Sequence, residues 1–307
     1  MSQTLFLLLG AIGLAGIGSL LSSGDDNDSS VEPEQPIGDR HEVEGTDEND
    51  TLDGTAGDDA ILSYDGNDLV DGKGGDDRIW TGRGNDVVIA RPGDDLVYLG
   101  MDDDQYGEIN DGANEGQDTI VGGTGDDVLI TNGGNHQIYG DYSQTDFIDP
   151  DAEYDDDDAS DGGGDDRIYD NGGTVFVQAS DGDDLIWSPD GTIDDKPDTL
   201  NGGEGSDTIV AGVGDLVDGG KGADLYILNG QSNGATHIEY GGSDNIRIAL
   251  PEGFAGDKDY TLEQDGDNVR LSFGGNTIAV LNNVLVDDVR EITFMDDKDV
   301  PKPPEKA

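Results

Sequence analysis

The sequence predicts an all-β fold in which short parallel strands and tight turns wind into stacked coils. An aspartate recurs every nine residues from Asp50 to Asp95, with an aliphatic residue two positions after each and a glycine two positions before all but the first. Three residues around the aliphatic position suffice for a short strand, and the remaining Gly, Asp and Asn residues tolerate the positive φ of a tight turn. Such a fixed period is typical of a solenoid, in which two units complete one coil and the coils stack at about 4.8 Å.

The regular aspartates indicate a metal-binding protein. If the aliphatic side chains point inward, the aspartates line the two turn edges, where carboxylates one coil apart repel unless a cation lies between them. Calcium suits this arrangement because it accepts about six to eight oxygens, including backbone carbonyls, in irregular geometry, whereas magnesium demands a stricter octahedron. Zinc favours Cys and His, and the chain has no cysteine and only three dispersed histidines, His41, His136 and His237.

Three strings match the unit G-G-x-G-x-D-x-U-x in full, namely GGTGDDVLI (122–130), GGEGSDTIV (202–210) and GGKGADLYI (219–227). Over residues 45–246 the chain therefore resembles the RTX, or hemolysin-type, calcium-binding nonapeptide-repeat family. The resemblance implies a parallel β-roll, multiple Ca²⁺ ions in the turns and export by a type I system. Carried over position by position, it implies metal sites at Asp59, Asp68, Asp77, Asp86, Asp95, Asp118, Asp127, Asp166, Asp184, Asp207 and Asp224, with turn glycines Gly57, Gly66, Gly75, Gly84, Gly93, Gly125, Gly205 and Gly222.

Some units depart from the pattern. Glu48 replaces the turn glycine of the first unit, and His136 and Val175 replace the aspartate of two later ones. The inward aliphatic position is kept in both of those later units, by Ile138 and Val177. We expect these coils to continue the core with a weaker or missing calcium site. For any single Asp-Gly cluster the alternative is an ordinary solvated turn, which the regular array disfavours.

The composition fits a chain that is loose without calcium and folded with it. It has 71 Asp and Glu against 15 Lys and Arg, for a net charge of -56, and this self-repulsion opposes compaction. Nucleic acid and anionic membrane surfaces are unfavourable partners for such a surface. Because the chain has no cysteine, disulfides are excluded, and calcium would take over their stapling role in an oxidising exterior.

The predicted organisation has five parts. Residues 1–21 form a hydrophobic helical segment whose apolar run, residues 4–21, is the only expected membrane contact. This segment is interpreted as a membrane anchor, a cleaved secretion signal or a segment that travels with the exported chain. No Lys or Arg precedes Arg40, which disfavours a secretion signal. A disordered acidic linker (22–43), the β-roll (44–248) with insertions near 100–112 and 139–161, a small C-terminal β cap (249–296) and a flexible tail (297–307) follow.

No catalytic constellation is evident, so we expect a non-enzymatic protein. There is no H-E-x-x-H motif, and although GQSNG (230–234) fits G-x-S-x-G with His237 nearby, a nucleophile elbow needs a following helix that ATHIEYGG disfavours. Trp80 and Trp187 could stack on sugars, but outer positions on the roll explain them more simply.

The predicted function is therefore that of a secreted or surface-tethered, extracellular calcium-binding protein that folds after export and has a structural or adhesive role. Glycans or other copies of the chain are its candidate partners. One alternative is a carbohydrate-active, polysaccharide-modifying extracellular β-solenoid enzyme that uses an acidic groove. Another is an adhesin or matrix component that links the surface to glycans.

Overall fold

The computed structural model describes residues 40–107, 116–141, 163–189 and 197–304. These ranges contain strands, turns and two short 3-10 helices, Val286–Asp288 and Asp297–Asp299, but no α-helix. In chain order the strands are β1 (His41–Glu44), β2 (Thr51–Asp53), β3 (Asp59–Leu62), β4 (Leu69–Asp71), β5 (Arg78–Arg83), β6 (Val87–Ile89), β7 (Leu96–Met101), β8 (Gln105–Tyr106), β9 (Thr119–Thr124), β10 (Val128–Thr131), β11 (Asn135–Asp141), β12 (Arg167–Asp170), β13 (Thr174–Asp181), β14 (Leu185–Ser188), β15 (Thr199–Glu204), β16 (Thr208–Ala211), β17 (Leu216–Lys221), β18 (Leu225–Asn229), β19 (Thr236–Glu239), β20 (Asn245–Leu250), β21 (Tyr260–Asp265), β22 (Asn268–Phe273), β23 (Asn276–Asn282) and β24 (Thr293–Asp296).

The strands form two sheets that run the length of the molecule. The odd-numbered strands from β1 to β19 build most of the parallel part of a 13-stranded sheet, and the even-numbered strands from β2 to β20, followed by β24, build an 11-stranded sheet. Each coil adds one strand to each sheet, so that neighbours are two strands apart in the chain. The register matches equivalent repeat positions, with Ile61 opposite Ile79 and Val70 opposite Val88. The predicted all-β parallel β-roll is confirmed.

The core is a narrow column built on the inward aliphatic side chain of each repeat. Because successive strand residues point to opposite faces, this position enters the space between the sheets, and longer strands add a second inward residue, as Leu99 does beside Val97 in β7. These side chains are fully or almost fully buried, and include Ile61, Val70, Ile79, Val88, Val97, Ile120, Leu129, Ile138, Ile168, Val177, Ile186, Leu200, Ile209 and Val217. The core therefore has little apolar width, and most of the contacts between coils lie in the sheets and turns.

Turn glycines let the backbones of adjacent coils approach closely. Gly84 has φ 115°, and a Cβ added there would lie 2.0 Å from the carbonyl oxygen of Gly66 in the preceding coil. Neither the dihedral angle nor the contact is open to an L side chain. At Gly84 the glycine two residues before the aspartate is thus required by the stacking of the turns.

The C-terminal strands cover both sheets at the last coil. Strand β23 pairs in parallel with β19 and then leads into an antiparallel β23–β22–β21 arrangement, while β24 covers β20. A solenoid needs such a cover because an uncovered last coil exposes its core and strand edges. At the other end, β1 and β2 each pair with one neighbour, β3 and β4 respectively.

Several predicted boundaries differ from the structure. Residues 100–107, expected in the first insertion, complete β7 and form β8, so that the coil continues to residue 107. Residues 139–141 belong to β11, and residues 41–43, expected in the linker, belong to β1. The tail, expected to be flexible from residue 297, contains a 3-10 helix and places Val300 against Val210 and Ile227. The predicted N-terminal helix, residues 108–112 of the first insertion and most of the second insertion lie outside the described residues. Within the described ranges, no helix is long and apolar enough to cross a membrane.

Candidate metal centres along the two edges of the roll

The repeat aspartates form two ladders, one on each edge of the roll. We call the turns from the 13-stranded to the 11-stranded sheet the first edge, and the turns in the opposite direction the second edge. The first-edge ladder comprises Asp50, Asp68, Asp86, Asp104, Asp127, Asp166, Asp184, Asp207, Asp224 and Asp244. The second-edge ladder comprises Asp59, Asp77, Asp95, Asp118, His136, Val175, Asp198 and Asp215.

One carboxylate oxygen of each interior aspartate links two coils. The Oδ1 atom of Asp77 accepts a hydrogen bond from the backbone N–H of Asp59, one coil earlier, at 2.9 Å. On the first edge the N–H of Asp68 donates to Asp86 Oδ1 at 2.8 Å in the same way. The side chains are buried inside the turns, so they do more than line the edges. One of the two oxygens of each such carboxylate therefore already accepts a hydrogen bond from the protein backbone.

The other carboxylate oxygen is unsatisfied at most interior rungs. The Oδ2 atom is buried and has no hydrogen-bond partner in eleven aspartates, and we call these atoms the bare oxygens: those of Asp68, Asp77, Asp86, Asp95, Asp104, Asp127, Asp141, Asp166, Asp184, Asp207 and Asp224. A buried charged oxygen without a partner costs far more than an ordinary missing hydrogen bond. Such a row of acceptors is stable only with protons or cations beside it.

Oxygen atoms of adjacent coils converge beside several bare oxygens. A Cβ added at Gly72 would lie 2.6 Å from Asp77 Oδ2 and 2.9 Å from the carbonyl oxygen of Ala90. At Gly202 the corresponding distances are 2.1 Å to Asp207 Oδ2 and 2.7 Å to the carbonyl oxygen of Gly219. A carboxylate oxygen and a backbone carbonyl oxygen from the next coil thus meet where the glycine has no side chain. This mixture of hard oxygen donors fits calcium.

The side chains alone do not build these sites. Within the described ranges, no three Asp, Glu, His or Cys side chains come together in a way that could hold a metal ion. Each bare oxygen is separated by a coil from the next one on its edge, so carbonyl oxygens of the turns have to supply the other ligands. Most of the turn glycines have positive φ, namely Gly66, Gly75, Gly84, Gly125, Gly205 and Gly222. Gly57, in the first coil of the second edge, is less crowded, since a Cβ added there would meet no atom nearer than Thr55 Oγ1 at 4.0 Å.

Burial and neighbouring negative charges raise the pKa of most of the bare carboxylates, so these groups ionise less readily when no cation is bound. Burial, and then the charges of Asp118, Asp77 and Asp76, raise the pKa of Asp95 to about 8. On the first edge, burial together with Asp127 and Asp141 raises the pKa of Asp166 to about 10. Near neutral pH these groups hold their protons unless a cation replaces them.

The match to a known family decides the identity of the roll. A model of the hemolysin-type RTX calcium-binding nonapeptide repeat, in four copies, matches residues 44–79, 71–106, 112–141, 160–191 and 194–226, together just over half of the chain. The protein belongs to the RTX calcium-binding repeat family. The suspected family is therefore confirmed, and the RTX roll is a calcium-binding β-roll.

Other comparisons add little. Among solved structures, the extracellular lipase LipA from Serratia marcescens is 18% identical, with a TM-score of 0.21; the match covers 82% of this chain and 39% of the lipase. The RTX chain thus spans about two fifths of the lipase, and the similarity is too low to carry any feature over. No curated protein matches the chain.

Two of the sequence-predicted aspartates of the RTX roll have protein donors where the others have bare oxygens. Asp59 Oδ2 accepts from the backbone N–H of Thr55 at 2.6 Å, and its Oδ1 contacts His41 Nδ1 at 3.0 Å. Asp118 Oδ2 accepts from the Tyr106 hydroxyl at 3.1 Å. The other predicted aspartates all carry bare oxygens.

The sequence prediction also omitted several rungs. The structure adds Asp104, Asp198, Asp215 and Asp244 to the ladders, and Asp141 has a bare oxygen outside them. A weaker signal, an aspartate two residues before an apolar residue that enters a strand, is present at the four ladder positions. Requiring the glycine as well concealed Asp104, Asp198 and Asp215; before Asp104, for example, Asp102 takes the turn position with φ 77°. Asp244 has Gly242 two residues before it, so the full pattern could have found it.

The serine motif lies outside both ladders. Ser232 is in the turn between β18 and β19, its N–H donates to the carbonyl oxygen of Asn229 at 3.1 Å, and the segment after it forms strand β19. It lines a cavity of about 450 Å³ on the outer face of the 11-stranded sheet together with Trp187 and Lys302. The described residues that line this cavity include no histidine, and His237 pairs with Leu216 in the other sheet.

Proposed function

We propose that this protein is an extracellular or surface-tethered RTX roll that folds when calcium binds after export and acts structurally rather than as an enzyme. The observation that carries the proposal is the row of bare oxygens, buried in turns where carbonyl oxygens of the adjacent coil lie close to them. These atoms have no role in an ion-free fold and destabilise it when they ionise. A calcium ion beside each one turns the same carboxylates into ligands.

The energetics support coupling between binding and folding. At free calcium about ten to a hundred times the dissociation constant, each site adds about 1.4 to 2.7 kcal/mol to the stability of the folded state. Several sites together match the total stability of an ordinary domain, about 5 to 15 kcal/mol. Bound ions also cancel part of the net charge of -56 that opposes compaction.

Extracellular placement follows from the affinity that such sites have. Extracellular calcium modules bind with dissociation constants of about 0.1 to 1 mM. Sites of that strength stay empty at the low free calcium inside cells, so the chain would remain extended during export and fold outside. The absence of cysteine agrees with calcium, rather than disulfides, as the stapling element.

The adhesive part of the proposal is supported by an aromatic pair on the outer face of the 13-stranded sheet. Trp80 and Tyr98 are half-buried and stack with ring centroids 6.1 Å apart and planes 6° apart. Flat amphipathic rings of this kind suit contact with sugars. Calcium-dependent retention on a polysaccharide column that is lost in Trp80→Ala, but kept in Trp187→Ala, would support adhesion; equal retention of all three proteins would contradict this use of Trp80.

The central experiment is a calcium titration monitored by circular dichroism. In EGTA we expect a coil spectrum, and on addition of millimolar calcium a cooperative change to β structure. Magnesium at the same ionic strength is the control, and it should not produce the change because the sites lack a regular octahedron. A spectrum that is the same in EGTA and in calcium would sink the proposal.

A further inference from the structure

We propose that calcium binds along the whole interior of the first edge but, on the second edge, only at Asp77 and Asp95, because protein donors replace the ion at the later rungs. The inference rests on the proposed calcium-dependent folding and concerns which turns use it. It assigns Asp104 as a calcium ligand and removes Asp59 and Asp118 from the ligand set that the repeat pattern predicts.

The first edge has a bare oxygen at every interior rung. From Asp68 to Asp224, each ladder aspartate is at most 3% exposed, and each accepts a backbone N–H on Oδ1 while Oδ2 has no partner. The series is Asp68, Asp86, Asp104, Asp127, Asp166, Asp184, Asp207 and Asp224. The two insertions do not break it, since the N–H of Asp104 donates to Asp127 at 2.8 Å and that of Asp127 to Asp166 at 2.9 Å.

The second edge changes character at Asp118. The Tyr106 hydroxyl donates to Asp118 Oδ2 at 3.1 Å, and His136 Nδ1 lies 3.2 Å from the same oxygen. His136 occupies the next rung of the ladder, is buried, and contacts the carbonyl oxygen of Gly133 through Nε2. The Tyr106 hydroxyl and the His136 ring thus take the positions beside Asp118 Oδ2 that a calcium ion would need.

The later rungs of the second edge are also satisfied within the protein. Ser188 Oγ donates to Asp198 Oδ2 at 2.6 Å, and the backbone N–H of Gly212 donates to Asp215 Oδ2 at 2.6 Å. Val175 and Thr236 take two further rungs without a carboxylate, and the Thr236 hydroxyl donates to the carbonyl oxygen of Gly212. Among the described second-edge residues, no bare oxygen follows Asp95.

The ends of the ladders are closed in the same way. Thr46 and Thr55 donate their backbone N–H groups to Asp50 Oδ2 and Asp59 Oδ2, each at 2.6 Å. At the other end of the first edge, Asp244 Oδ2 accepts from the N–H of Gly241 at 2.6 Å and from the Tyr226 hydroxyl at 3.2 Å. Calcium is therefore expected where a bare oxygen is present, and protein donors hold the coils elsewhere.

A pair of matched variants tests the inference. Asp184→Asn and Asp198→Asn change adjacent rungs on opposite edges, and asparagine keeps the Oδ1 acceptor that links the coils. The measurements are the number of calcium ions bound, by native mass spectrometry of the full chain, and the calcium midpoint of folding by circular dichroism. We expect Asp184→Asn to lose bound calcium and to raise the midpoint severalfold. Asp198→Asn should keep the parent's calcium number and midpoint and lower only its melting temperature in saturating calcium.

Asp224→Asn, near the C-terminal end of the first edge, repeats the test if Asp184→Asn does not fold, and Asp118→Asn repeats the second-edge arm. Equal loss of calcium from variants of both edges would overturn the asymmetry while leaving calcium-dependent folding intact. If the parent itself binds no calcium, the proposed function fails together with the inference.

Discussion

The first coils and the C-terminal hairpins belong to one sheet but are held together in different ways. From Asp50 to Tyr106, each strand gives one or two side chains to the core, and the turns carry bare oxygens. Around β21–β23, the ring centroid of Phe273 lies 6.0 Å from that of Phe254 and 5.7 Å from that of Phe294 in β24. The described residues after Asp224 include no bare oxygen. The comparison shows that one continuous sheet passes from an ion-dependent region to one with an ordinary apolar core.

The largest expected effect that separates the two regions is their response to chelation. Removing calcium with EGTA should open the amides of β3 to β18 to hydrogen exchange, because the bare carboxylates then repel one another and the narrow core cannot compensate. The amides of β21–β23 should stay protected, since their hydrogen bonds cover a conventional core. Hydrogen exchange with mass spectrometry, in EGTA and in calcium, measures this directly. Equal loss of protection in both regions would show that the hairpins depend on the ions too.

A charge placed in the narrow core should be nearly as damaging. Val70 is fully buried between the sheets, and Val70→Asp places an unpaired carboxylate there at a cost of at least about 4 kcal/mol. The control is the preceding residue on the same strand: Leu69 points outward and is 43% exposed, so Leu69→Asp should change stability by no more than about 0.5 kcal/mol. Thermal melts in saturating calcium compare the two. Similar melting temperatures for both variants would mean that the inward and outward positions are assigned the wrong way round.

A cavity in the hairpins should cost stability without altering the response to calcium. Leu271 is fully buried in β22, and Leu271→Ala should destabilise the hairpins by about 2 to 5 kcal/mol. Because the described residues around β22 carry no bare oxygen, the calcium midpoint of the roll should stay close to that of the parent. A large upward shift of that midpoint would show that the roll folds only on an intact C-terminal cover.

The smallest effect is a partial replacement of calcium by protons. Burial raises the pKa of Asp104 to about 9 and of Asp86 to about 6 in the folded chain, against about 3.9 when unfolded. A raised pKa means that the stabilisation is complete below about pH 4 and is lost as the pH rises through about 6 to 9. In EGTA, β content should therefore be higher at pH 5 than at pH 8. With calcium the order should reverse, because the ions bind the deprotonated carboxylates. Circular dichroism at both pH values tests this, and β content that rises with pH in EGTA would contradict it.

Most of the fold could be predicted from the sequence, because the nine-residue repeat determines both the strand register and which side chains are buried. A period of nine places one aliphatic residue per strand inside, and Val70, Ile79 and Val88 are fully buried as the pattern requires. The interior aspartates were predictable for the same reason. The tail was not, since nothing in the sequence shows that Val300 covers the apolar outer face formed by Val210 and Ile227.

The division of the aspartates into those with bare oxygens and those with protein donors could not be read from the repeat. Asp184 and Asp198 each stand two residues before a buried aliphatic residue, but the second receives the Ser188 hydroxyl from across the coil. Likewise, Tyr106 reaches Asp118 only because β8 and the turn before β9 lie in adjacent parts of the roll. These contacts depend on three-dimensional neighbours outside the nine-residue unit, so composition and spacing do not reveal them.

The hydrogen bonds between the rungs all point the same way along the axis, and this gives the roll a direction. The N–H groups of the ladder donate toward the next coil, as from Asp59 to Asp77, so the carboxylates of Asp50 and Asp59 have no earlier ladder N–H to accept. Thr46 and Thr55, each four residues before Asp50 and Asp59, donate instead to the Oδ2 atoms, which are bare at the interior rungs. The string G-T-x-x-x-D thus acts as a start signal. A roll shortened from its N-terminus needs a threonine grafted four residues before each new leading aspartate, whereas coils duplicated behind that signal need no such addition.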